Sequence, residues 1–434
     1  IRTDEASLRA HRHDRSGWEP PGLPAAVVVP RTTAEVQAVL RVANATRTPV
    51  VVRGAGTGLS GAATATDGEL VLSTAGLTAI TELSPADRIA VVQPGVITAD
   101  LDRAAAGHGL RYAPDPASVE ISTIGGNIAT NAGGLRCAKY GVTRDSVLGL
   151  EVVLADGRLV RTGRRTIKGV TGYDLTSLFV GSEGTLGVVV SATVRLRPAP
   201  AETATVAAFF ATTADAAAGF ARVRGQPAVA ELLDRNALDA IDDAQGTALR
   251  SRGEAFLLVQ TDGLAARAEA TAVRDALAPL ATSVEVTTDP AAAATLLAVR
   301  RQALPSLEKR GRVLIEDIAV PRSRLAEAIG AIQRIAQRHE VTVATLAHAG
   351  DGNLHPIFVI DPAEPGVPEP VWAAADEIFG MALRLGGTLT GEHGVGTLKR
   401  RWLADELTPA TLALHHDIKA VLDPAGILNR GKAL

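Results

Sequence analysis

The order of apolar and polar positions predicts a β-α-β arrangement near the start of the chain. Residues 27–29 and 49–52 are short apolar runs typical of strands. Between them, residues 32–45 have the apolar spacing of an amphipathic helix, and Thr32 with Glu35 gives the pattern of a capping box at its start. The chain therefore opens with two strands joined by a helix.

A boundary is predicted where Pro198 and Pro200 interrupt the pattern. Before it, Asp156-Gly157 joins two apolar runs as a hairpin, and residues 188–195 read as a strand. Beyond it, strands are expected at 205–210, 255–260, 283–287 and 312–320, and helices at 214–223, 264–280, 290–309, 322–339 and 372–385. This order predicts an α+β domain with an antiparallel sheet.

Length and charge exclude several classes of protein. A chain of 434 residues predicts two or three domains. The net charge of −3 comes with dispersed cations, which argues against nucleic acid or an anionic membrane as partner. Its apolar runs are too short for a transmembrane segment. The single cysteine, Cys137, excludes an intrachain disulfide and fits a reducing compartment.

The first glycine-rich stretch, residues 53–61, fits the Gly-x-Gly-x-x-Gly pattern of dinucleotide-binding folds at Gly56, Gly58 and Gly61. That pattern requires a helix after the glycines, whereas a strand is expected at 69–72. A nucleotide-hydrolysing loop is excluded too, because no Gly-Lys-Ser/Thr ending follows. What remains is a loop of backbone N–H groups suited to phosphate.

Two further glycine-rich loops follow at residues 122–134 and 181–187. Their small side chains let a flat ligand approach the backbone closely. Any one of the three stretches could be ordinary turn chemistry. Together they indicate one long cofactor that lies across a single domain.

Near the C-terminal end, His348 and His355 flank a Gly-Asp-Gly-Asn turn between apolar runs. A hairpin there would bring the two histidines face to face across its strands. A carboxylate from Glu392 would complete a His2Glu set, a common ligand combination for catalytic divalent metals. The alternative is two loop histidines and an unrelated Glu-His pair.

These motifs resemble the flavin-dependent 2-hydroxy acid dehydrogenases of the vanillyl-alcohol-oxidase type. This group includes D-lactate dehydrogenase, the glycolate oxidase catalytic subunit and D-2-hydroxyglutarate dehydrogenase. The matching segments run in the expected order over nearly the whole chain: residues 30–36, 53–61, 123–134, 172–175, 181–187, 348–355, 391–394 and the tail to Asn429.

The resemblance implies an α+β fold with a two-subdomain FAD-binding domain of the vanillyl-alcohol-oxidase type over residues 1–199. A cap, or substrate, domain with an antiparallel sheet and the histidine hairpin would follow over residues 200–389. A short C-terminal segment, residues 390–434, would complete the active site.

The resemblance also implies non-covalent FAD, because the first loop lacks the histidine through which some relatives attach the flavin. It places the pyrophosphate on the first and second loops. The implied FAD contacts are Arg53, Gly54, Ala55, Gly56, Thr57, Gly58, Leu59, Ser60, Pro116, Ser118, Thr123, Gly125, Gly126, Asn127, Ala129, Thr130, Asn131, Gly133, Gly134, Gly141, Glu183, Gly184, Gly187, Val188 and Asn429.

For the chemistry, the resemblance implies His348, His355 and Glu392 as metal ligands and His393 as the catalytic base. The substrate would be a D-2-hydroxy acid, whose α-hydrogen passes as hydride to the flavin N5 and whose hydroxyl proton passes to His393. Zinc is the expected metal, with manganese, iron or cobalt as alternatives. His393 as a fourth metal ligand is the competing interpretation.

Substrate size is predicted from the segment around Arg300, a candidate clamp for the substrate carboxylate. The adjacent Arg301 has the alternative of a solvated helix face, and so, less strongly, does Arg300. Relatives that act on dicarboxylates carry polar or basic groups in this segment, where this chain has Leu304 and Ile315. A monocarboxylate with a small or apolar tail is therefore expected.

Two other classes compete with this interpretation: a metal-dependent hydrolase without flavin, and a catalytically silent flavin-binding subunit of a larger complex. A dehydrogenase specific for 2-hydroxyglutarate or glycolate is the alternative within the family. Expected partners are the small-molecule acid and an electron acceptor (quinone, cytochrome, electron-transfer flavoprotein or oxygen), which no motif distinguishes. A cytoplasmic location is expected, with peripheral membrane association and a homodimer both left open.

Overall fold

The computed structural model describes residues 1–434. Its strands are β1 (Ala26–Val28), β2 (Val50–Arg53), β3 (Leu70–Ser73), β4 (Ile80–Ser84), β5 (Ile89–Val92), β6 (Leu110–Arg111), β7 (Val147–Val153), β8 (Leu159–Gly163), β9 (Val188–Arg195), β10 (Arg197–Pro198), β11 (Thr203–Phe210), β12 (Val229–Leu233), β13 (Ala255–Asp262), β14 (Ala281–Thr287), β15 (Arg312–Ile315), β16 (Ile318–Ala319), β17 (Val343–His348) and β18 (Asn353–Ile360).

The α-helices are α1 (Glu5–His11), α2 (Thr33–Thr46), α3 (Thr98–Ala106), α4 (Ile124–Thr130), α5 (Cys137–Tyr140), α6 (Thr143–Ser146), α7 (Leu175–Phe179), α8 (Thr213–Ala221), α9 (Arg235–Gln245), α10 (Ala266–Leu277), α11 (Pro290–Arg310), α12 (Leu325–Arg338), α13 (Glu369–Arg384), α14 (Leu403–Glu406) and α15 (Pro409–Leu422). No helix has the length and apolar character needed to cross a lipid bilayer.

Contacts within the chain divide it into two units. The first consists of Ile1–Gly134, Gly141–Ala199 and Glu392–Leu434, and the second of Leu135–Tyr140 and Pro200–Gly391. The short helix α5 thus belongs to the second unit although residues of the first unit precede and follow it. The domain bounds expected from the sequence stay a prediction.

The first unit contains a parallel sheet in the order β1-β3-β2 and an antiparallel sheet in the order β4-β5-β9-β7-β8. Helix α2 covers a core that both sheets share, with Leu40 packed among Leu72 and Val188. Ile427 and Leu428 belong to the same core, so the end of the chain returns to its beginning. The β-α-β opening is confirmed.

The second unit is built on one antiparallel sheet in the order β14-β11-β13-β12-β17-β18-β15, with β16 paired to β18. Helices α9 and α11 pack on one face, where Leu258 and Leu346 lie in the core. This is the predicted α+β arrangement. Its strands β12, β17 and β18 carry the polar side chains of the candidate site.

Four details differ from the sequence predictions. Thr32 does cap α2, but the Glu35 carboxylate accepts the N–H of Arg31, so the predicted capping box is incomplete. The second glycine-rich stretch contains helix α4, capped by Thr123, rather than a loop. Strand β12 and the helix α9 that follows it were not predicted. In β12, the acidic Glu231 interrupts the apolar pattern of a short strand.

The fourth difference is a break in the strand predicted over residues 312–320, which forms β15 and β16 instead. The break falls at Asp317, whose carboxylate accepts hydrogen bonds from Asn353 Nδ2 and Thr390 Oγ1, both at 2.6 Å. Those two side chains supply the hydrogen bonds that a buried carboxylate needs. The break therefore serves to hold the histidine hairpin.

Asp234 gives the fold a specific pH dependence. Its buried carboxylate caps α9 by accepting the N–H of Ala237 at 3.0 Å, and it accepts the N–H of Thr345 in β17 at 2.8 Å. Burial raises the pKa of Asp234 to about 7. Between about pH 4 and pH 7 the unfolded chain loses this proton while the folded chain keeps it, so this contribution to stability falls as pH rises, by up to about 4 kcal/mol.

We therefore expect Asp234→Asn to flatten the decrease of the free energy of unfolding between pH 5 and pH 7, measured by urea denaturation. The matched control is Asp156→Asn in the β7–β8 turn. Partial burial alone would raise the pKa of Asp156, but hydrogen bonds from Arg158 outweigh it and lower that pKa. This carboxylate therefore does not titrate between pH 5 and pH 7. Equal slopes for Asp234→Asn and the unsubstituted protein would contradict the assignment.

Candidate active site

The histidine hairpin forms between β17 and β18, with its turn at residues 349–352. In the observed register His348 lies opposite Asn353, and His355 lies opposite Leu346. The two histidines are therefore diagonal neighbours on one face of the sheet, and they meet across the two strands as predicted. Their rings meet edge to face with centroids 5.1 Å apart, and both side chains are buried.

Glu231 is the functional candidate that sequence analysis missed. It lies in β12, opposite His348 in the neighbouring strand, and its side chain has no exposed surface. One carboxylate oxygen is 2.5 Å from His348 Nδ1, and the other accepts a hydrogen bond from Arg300 Nε at 2.6 Å. The signal in the sequence was an acidic residue inside an otherwise apolar strand.

The charges around Glu231 determine its protonation. Burial alone would raise the pKa of Glu231, but the attraction of His348 and Arg300 and their hydrogen bonds bring it below its ordinary value. A carboxylate at this distance can accept a hydrogen from His348 Nδ1. With a metal bound, a neutral His348 that keeps its proton on Nδ1 would donate to Glu231 and offer the lone pair of Nε2 as the metal ligand.

His355 has a carboxylate of its own nearby, since its Nδ1 lies 3.7 Å from Asp317 Oδ1. Asp317 is in turn held by Asn353, the residue opposite His348. Both histidines of the hairpin therefore have an acidic neighbour in the second unit. Two buried imidazoles with adjacent carboxylates are a donor set that fits a divalent metal.

Arg300 lies on α11, which packs over the same face of the sheet. Its Nε is committed to Glu231, which leaves the two Nη groups for another partner. Leu304, one turn further along the helix, and Ile315 in β15 are half-buried and pack against the core beneath. Arg301 is exposed, as its alternative interpretation expected.

In the first unit, the side chain of Arg53 holds the loop at residues 53–61. Its buried guanidinium donates hydrogen bonds to the carbonyls of His13 and Ala63 at 3.0 and 3.1 Å. Gly56 has φ +73°, and a Cβ there would lie 2.0 Å from the guanidinium. A side chain at this position would displace the guanidinium and would also be strained by the positive φ, so glycine is favoured there.

The three glycine-rich stretches meet one another. A Cβ at Gly54 in the first would lie 2.6 Å from Thr123 Oγ1 in the second. The N–H of Glu183 in the third donates to the carbonyl of Ala129 in the second at 2.8 Å. Small residues from all three thus adjoin in one unit, as an extended cofactor requires.

All the other residues predicted to contact FAD also belong to the first unit: Ala55, Thr57, Gly58, Leu59, Ser60, Pro116, Ser118, Gly125, Gly126, Asn127, Thr130, Asn131, Gly133, Gly134, Gly141, Gly184, Gly187, Val188 and Asn429. Two of them have side chains engaged within the protein. Ser60 Oγ donates to the carbonyl of Gly394 at 2.8 Å, and Asn429 Nδ2 donates to the carbonyl of Glu183 at 2.6 Å.

Glu183 is likewise engaged. Its carboxylate accepts the N–H groups of Val395 and Gly396 at 2.8 and 2.7 Å. Burial raises the pKa of Glu183 to about 7, although those two hydrogen bonds and the charge of Lys399 oppose the shift. The side chain predicted to contact FAD therefore holds the segment that follows His393.

Glu392 and His393 begin the last segment of the first unit, directly after the final residue of the second. The Glu392 carboxylate and His393 Nε2 are 4.0 Å apart, and both side chains are largely buried. Within this unit Glu392 lies against Gly133, where a Cβ would be 2.3 Å from its Oε2. The role of each residue stays a prediction.

Comparison with known families assigns both parts of the chain. Residues 24–163 match the family described as FAD binding domain, and residues 199–433 match FAD linked oxidases, C-terminal domain. The chain also has the fold of 4-ethylphenol oxidase from Gulosibacter chungangensis, with a TM-score of 0.78, 20% identity and coverage of 100% of this chain and 93% of that one.

Curated relatives match over nearly the full length. Glycolate oxidase subunit GlcD of Bacillus subtilis is 43% identical, covering 94% of this chain and 89% of its own. D-lactate dehydrogenase of Archaeoglobus fulgidus is 38% identical (94% and 91%), and D-2-hydroxyglutarate dehydrogenase of Stutzerimonas stutzeri is 35% identical (100% and 95%). The chain therefore belongs to the FAD-dependent D-2-hydroxy acid dehydrogenase family and is an FAD-linked oxidoreductase.

Proposed function

We propose that this protein oxidises a D-2-hydroxy monocarboxylate to the 2-oxo acid, with non-covalently bound FAD and a divalent metal held by His348, His355 and Glu392. One observation carries the proposal. The buried Glu231 binds a candidate metal ligand, His348, through one oxygen and a candidate substrate clamp, Arg300, through the other. The same buried anion thus joins a histidine next to the hairpin turn to an arginine whose two Nη groups are left for a further partner.

The proposed metal ligands follow from the chemistry of the donors. An imidazole whose Nδ1–H is held by a carboxylate is oriented for coordination through Nε2, as is usual for histidines that bind zinc. The ring of His355 contacts the ring of His348, with the two centroids 5.1 Å apart. Glu392 supplies the third, anionic donor, which would leave coordination positions for the substrate. Zinc suits this donor set, while manganese, iron or cobalt could also be accepted.

Arg300 is proposed to bind the substrate carboxylate through its two Nη groups, because a guanidinium offers paired donors in a plane. The bond from its Nε to Glu231 restrains the rotation of the guanidinium. Leu304 lies one helical turn away on the same face of α11, and Ile315 is its apolar counterpart in β15. A second carboxylate beside these side chains would lose water without gaining a partner.

In the proposed reaction, FAD supplies the hydride acceptor and the metal supplies a Lewis acid that acidifies the substrate hydroxyl. His348, His355 and Glu392 hold the metal, and Arg300 orients the substrate. His393 accepts the hydroxyl proton at an imidazole nitrogen, whose unperturbed pKa suits a base near neutral pH. Fixing two substituents of the α-carbon leaves one orientation for its hydrogen, so one enantiomer should react.

The first test is anaerobic bleaching of the flavin absorbance by a panel of acids. D-lactate and longer apolar D-2-hydroxy acids should bleach it with a higher kcat/KM than D-2-hydroxyglutarate, because Leu304 and Ile315 offer a second carboxylate no partner. L-isomers should react poorly. Preference for the dicarboxylate would overturn the pocket assignment, and absence of bleaching by every acid would identify a catalytically silent flavin subunit.

Acid precipitation of the same protein tests the mode of flavin attachment. We expect the yellow chromophore in the supernatant, since the loop at residues 53–61 has no side chain of the type that anchors flavin in covalent relatives. Colour retained in the pellet would refute non-covalent binding.

The third test is metal content. His348→Ala and His355→Ala should lose the metal and turnover while retaining FAD, and Glu231→Gln should weaken metal binding about 10- to 100-fold by loosening His348. The matched controls are His339→Ala and Glu377→Gln, which alter another histidine–carboxylate pair, 3.0 Å apart, in the second unit. Those controls should keep metal and activity. Full activity in metal-free His348→Ala protein would contradict the ligand assignment.

A further inference from the structure

We infer that Glu183 and Ser60 are positioning residues that fix the backbone turn carrying His393. The inference rests on the proposed function, in which His393 is the base, and extends it to two side chains that touch neither substrate nor reacting atoms. Both come from glycine-rich stretches, Ser60 from the first and Glu183 from the third. Their hydrogen bonds link the loops predicted to hold FAD with the turn that follows His393, the predicted base.

The two side chains hold the turn by complementary groups. The Glu183 carboxylate accepts the N–H groups of Val395 and Gly396 at 2.8 and 2.7 Å. Ser60 Oγ is within donor distance of two carbonyls, those of His393 at 3.1 Å and Gly394 at 2.8 Å. The peptide groups that follow the His393 side chain are therefore fixed through both donors and acceptors.

The fit around the turn is tight. Gly394 has φ +82°, and a Cβ there would lie 2.9 Å from a Glu183 carboxylate oxygen. Gly396 has φ +51°, and a Cβ there would lie 2.0 Å from the carbonyl of Ser60. That carbonyl also accepts the N–H of Thr397 at 2.8 Å. The turn thus approaches both residues too closely for a side chain at either glycine.

The backbone of Glu183 indicates that its side chain is needed. Its φ is +51°, a conformation that glycine adopts without penalty and glutamate rarely adopts. Asn429 Nδ2 holds the Glu183 carbonyl at 2.6 Å, and the residue is buried. A strained, buried glutamate between glycines is explained by what its carboxylate binds, which is the turn after His393.

A general base acts only within hydrogen-bond reach of its proton, and a displacement of about 1 Å can cost about a hundredfold in rate. Glu183→Gln replaces one acceptor oxygen by a donor NH2 that faces a backbone N–H. Ser60→Ala removes the hydroxyl. Each substitution releases one side of the turn and keeps the His393 side chain, so each should lower kcat with little change in KM.

The experiment measures anaerobic flavin reduction by a D-2-hydroxy acid in the full-length holoenzyme. We expect Glu183→Gln and Ser60→Ala each to reduce the rate about 10- to 100-fold, with FAD and metal content unchanged. Ser60→Thr, which keeps the hydroxyl, should restore most of the rate. If Glu183→Gln folds poorly, the comparison of Ser60→Ala with Ser60→Thr still tests the inference.

The control is Asp423→Asn, another buried carboxylate of the first unit that accepts two backbone N–H groups, those of Ile427 and Leu428 at 3.0 and 2.8 Å. It does not touch the His393 turn. We expect this substitution to lower the thermal midpoint while leaving the reduction rate unchanged. A comparable rate loss in Asp423→Asn would mean that any weakened buried carboxylate slows the enzyme, and would overturn the inference.

A double-mutant cycle separates the inference from the proposed function. His393→Ala alone should lose about 10²- to 10⁴-fold in rate. Adding Glu183→Gln to His393→Ala should then cost nothing more, because the residue acts only through the missing imidazole. An undiminished Glu183 effect in that background overturns the positioning role alone. A normal rate in His393→Ala instead refutes the assignment of the base.

Discussion

Glu231 has no exposed surface, and two side chains hold its carboxylate: the cation of Arg300 and the imidazole of His348. Arg300 and His348 approach it from a helix and from the neighbouring strand, so one buried anion fixes the sheet, the helix above it and an imidazole. Removing such a partner typically costs more than the pair contributes, because the remaining charge stays buried. The arrangement of the second unit therefore depends on this charge being balanced.

In the first unit, glycines allow separate segments of backbone to approach one another closely. Its three small-residue stretches adjoin because no Cβ stands between them, as at Gly54 beside Thr123. Three polar side chains, Ser60 and Glu183 within these stretches and Asn429 in the C-terminal tail, hold neighbouring backbone. Backbone left exposed by glycine thus gains its rigidity from polar side chains placed at intervals along the same stretches.

Local patterns in the sequence predicted the local structure well: the β-α-β opening, the hairpin at Asp156-Gly157 and the strand over residues 188–195 all form. The candidate metal histidines were also recognisable, because a turn motif separates them. Glu231 escaped notice because its partners, His348 and Arg300, are 117 and 69 positions away. The order of strands in the sheet brings these distant segments together. The only indication of that contact in the sequence is an acidic residue among apolar ones.

Separations along the chain are even longer within the first unit, where Glu183 binds N–H groups 212 and 213 positions later. At usual rates of translation, roughly 10 to 40 s separate the synthesis of the carboxylate from that of its partners. Ile427 and Leu428, which complete the core beneath α2, are made later still. The second unit, which ends at Gly391, is itself complete only a few residues before those N–H groups, so the nascent first unit has an open core and an unsatisfied acid throughout this interval. The part of the chain that is made first therefore keeps apolar surface exposed until the last segment has been made.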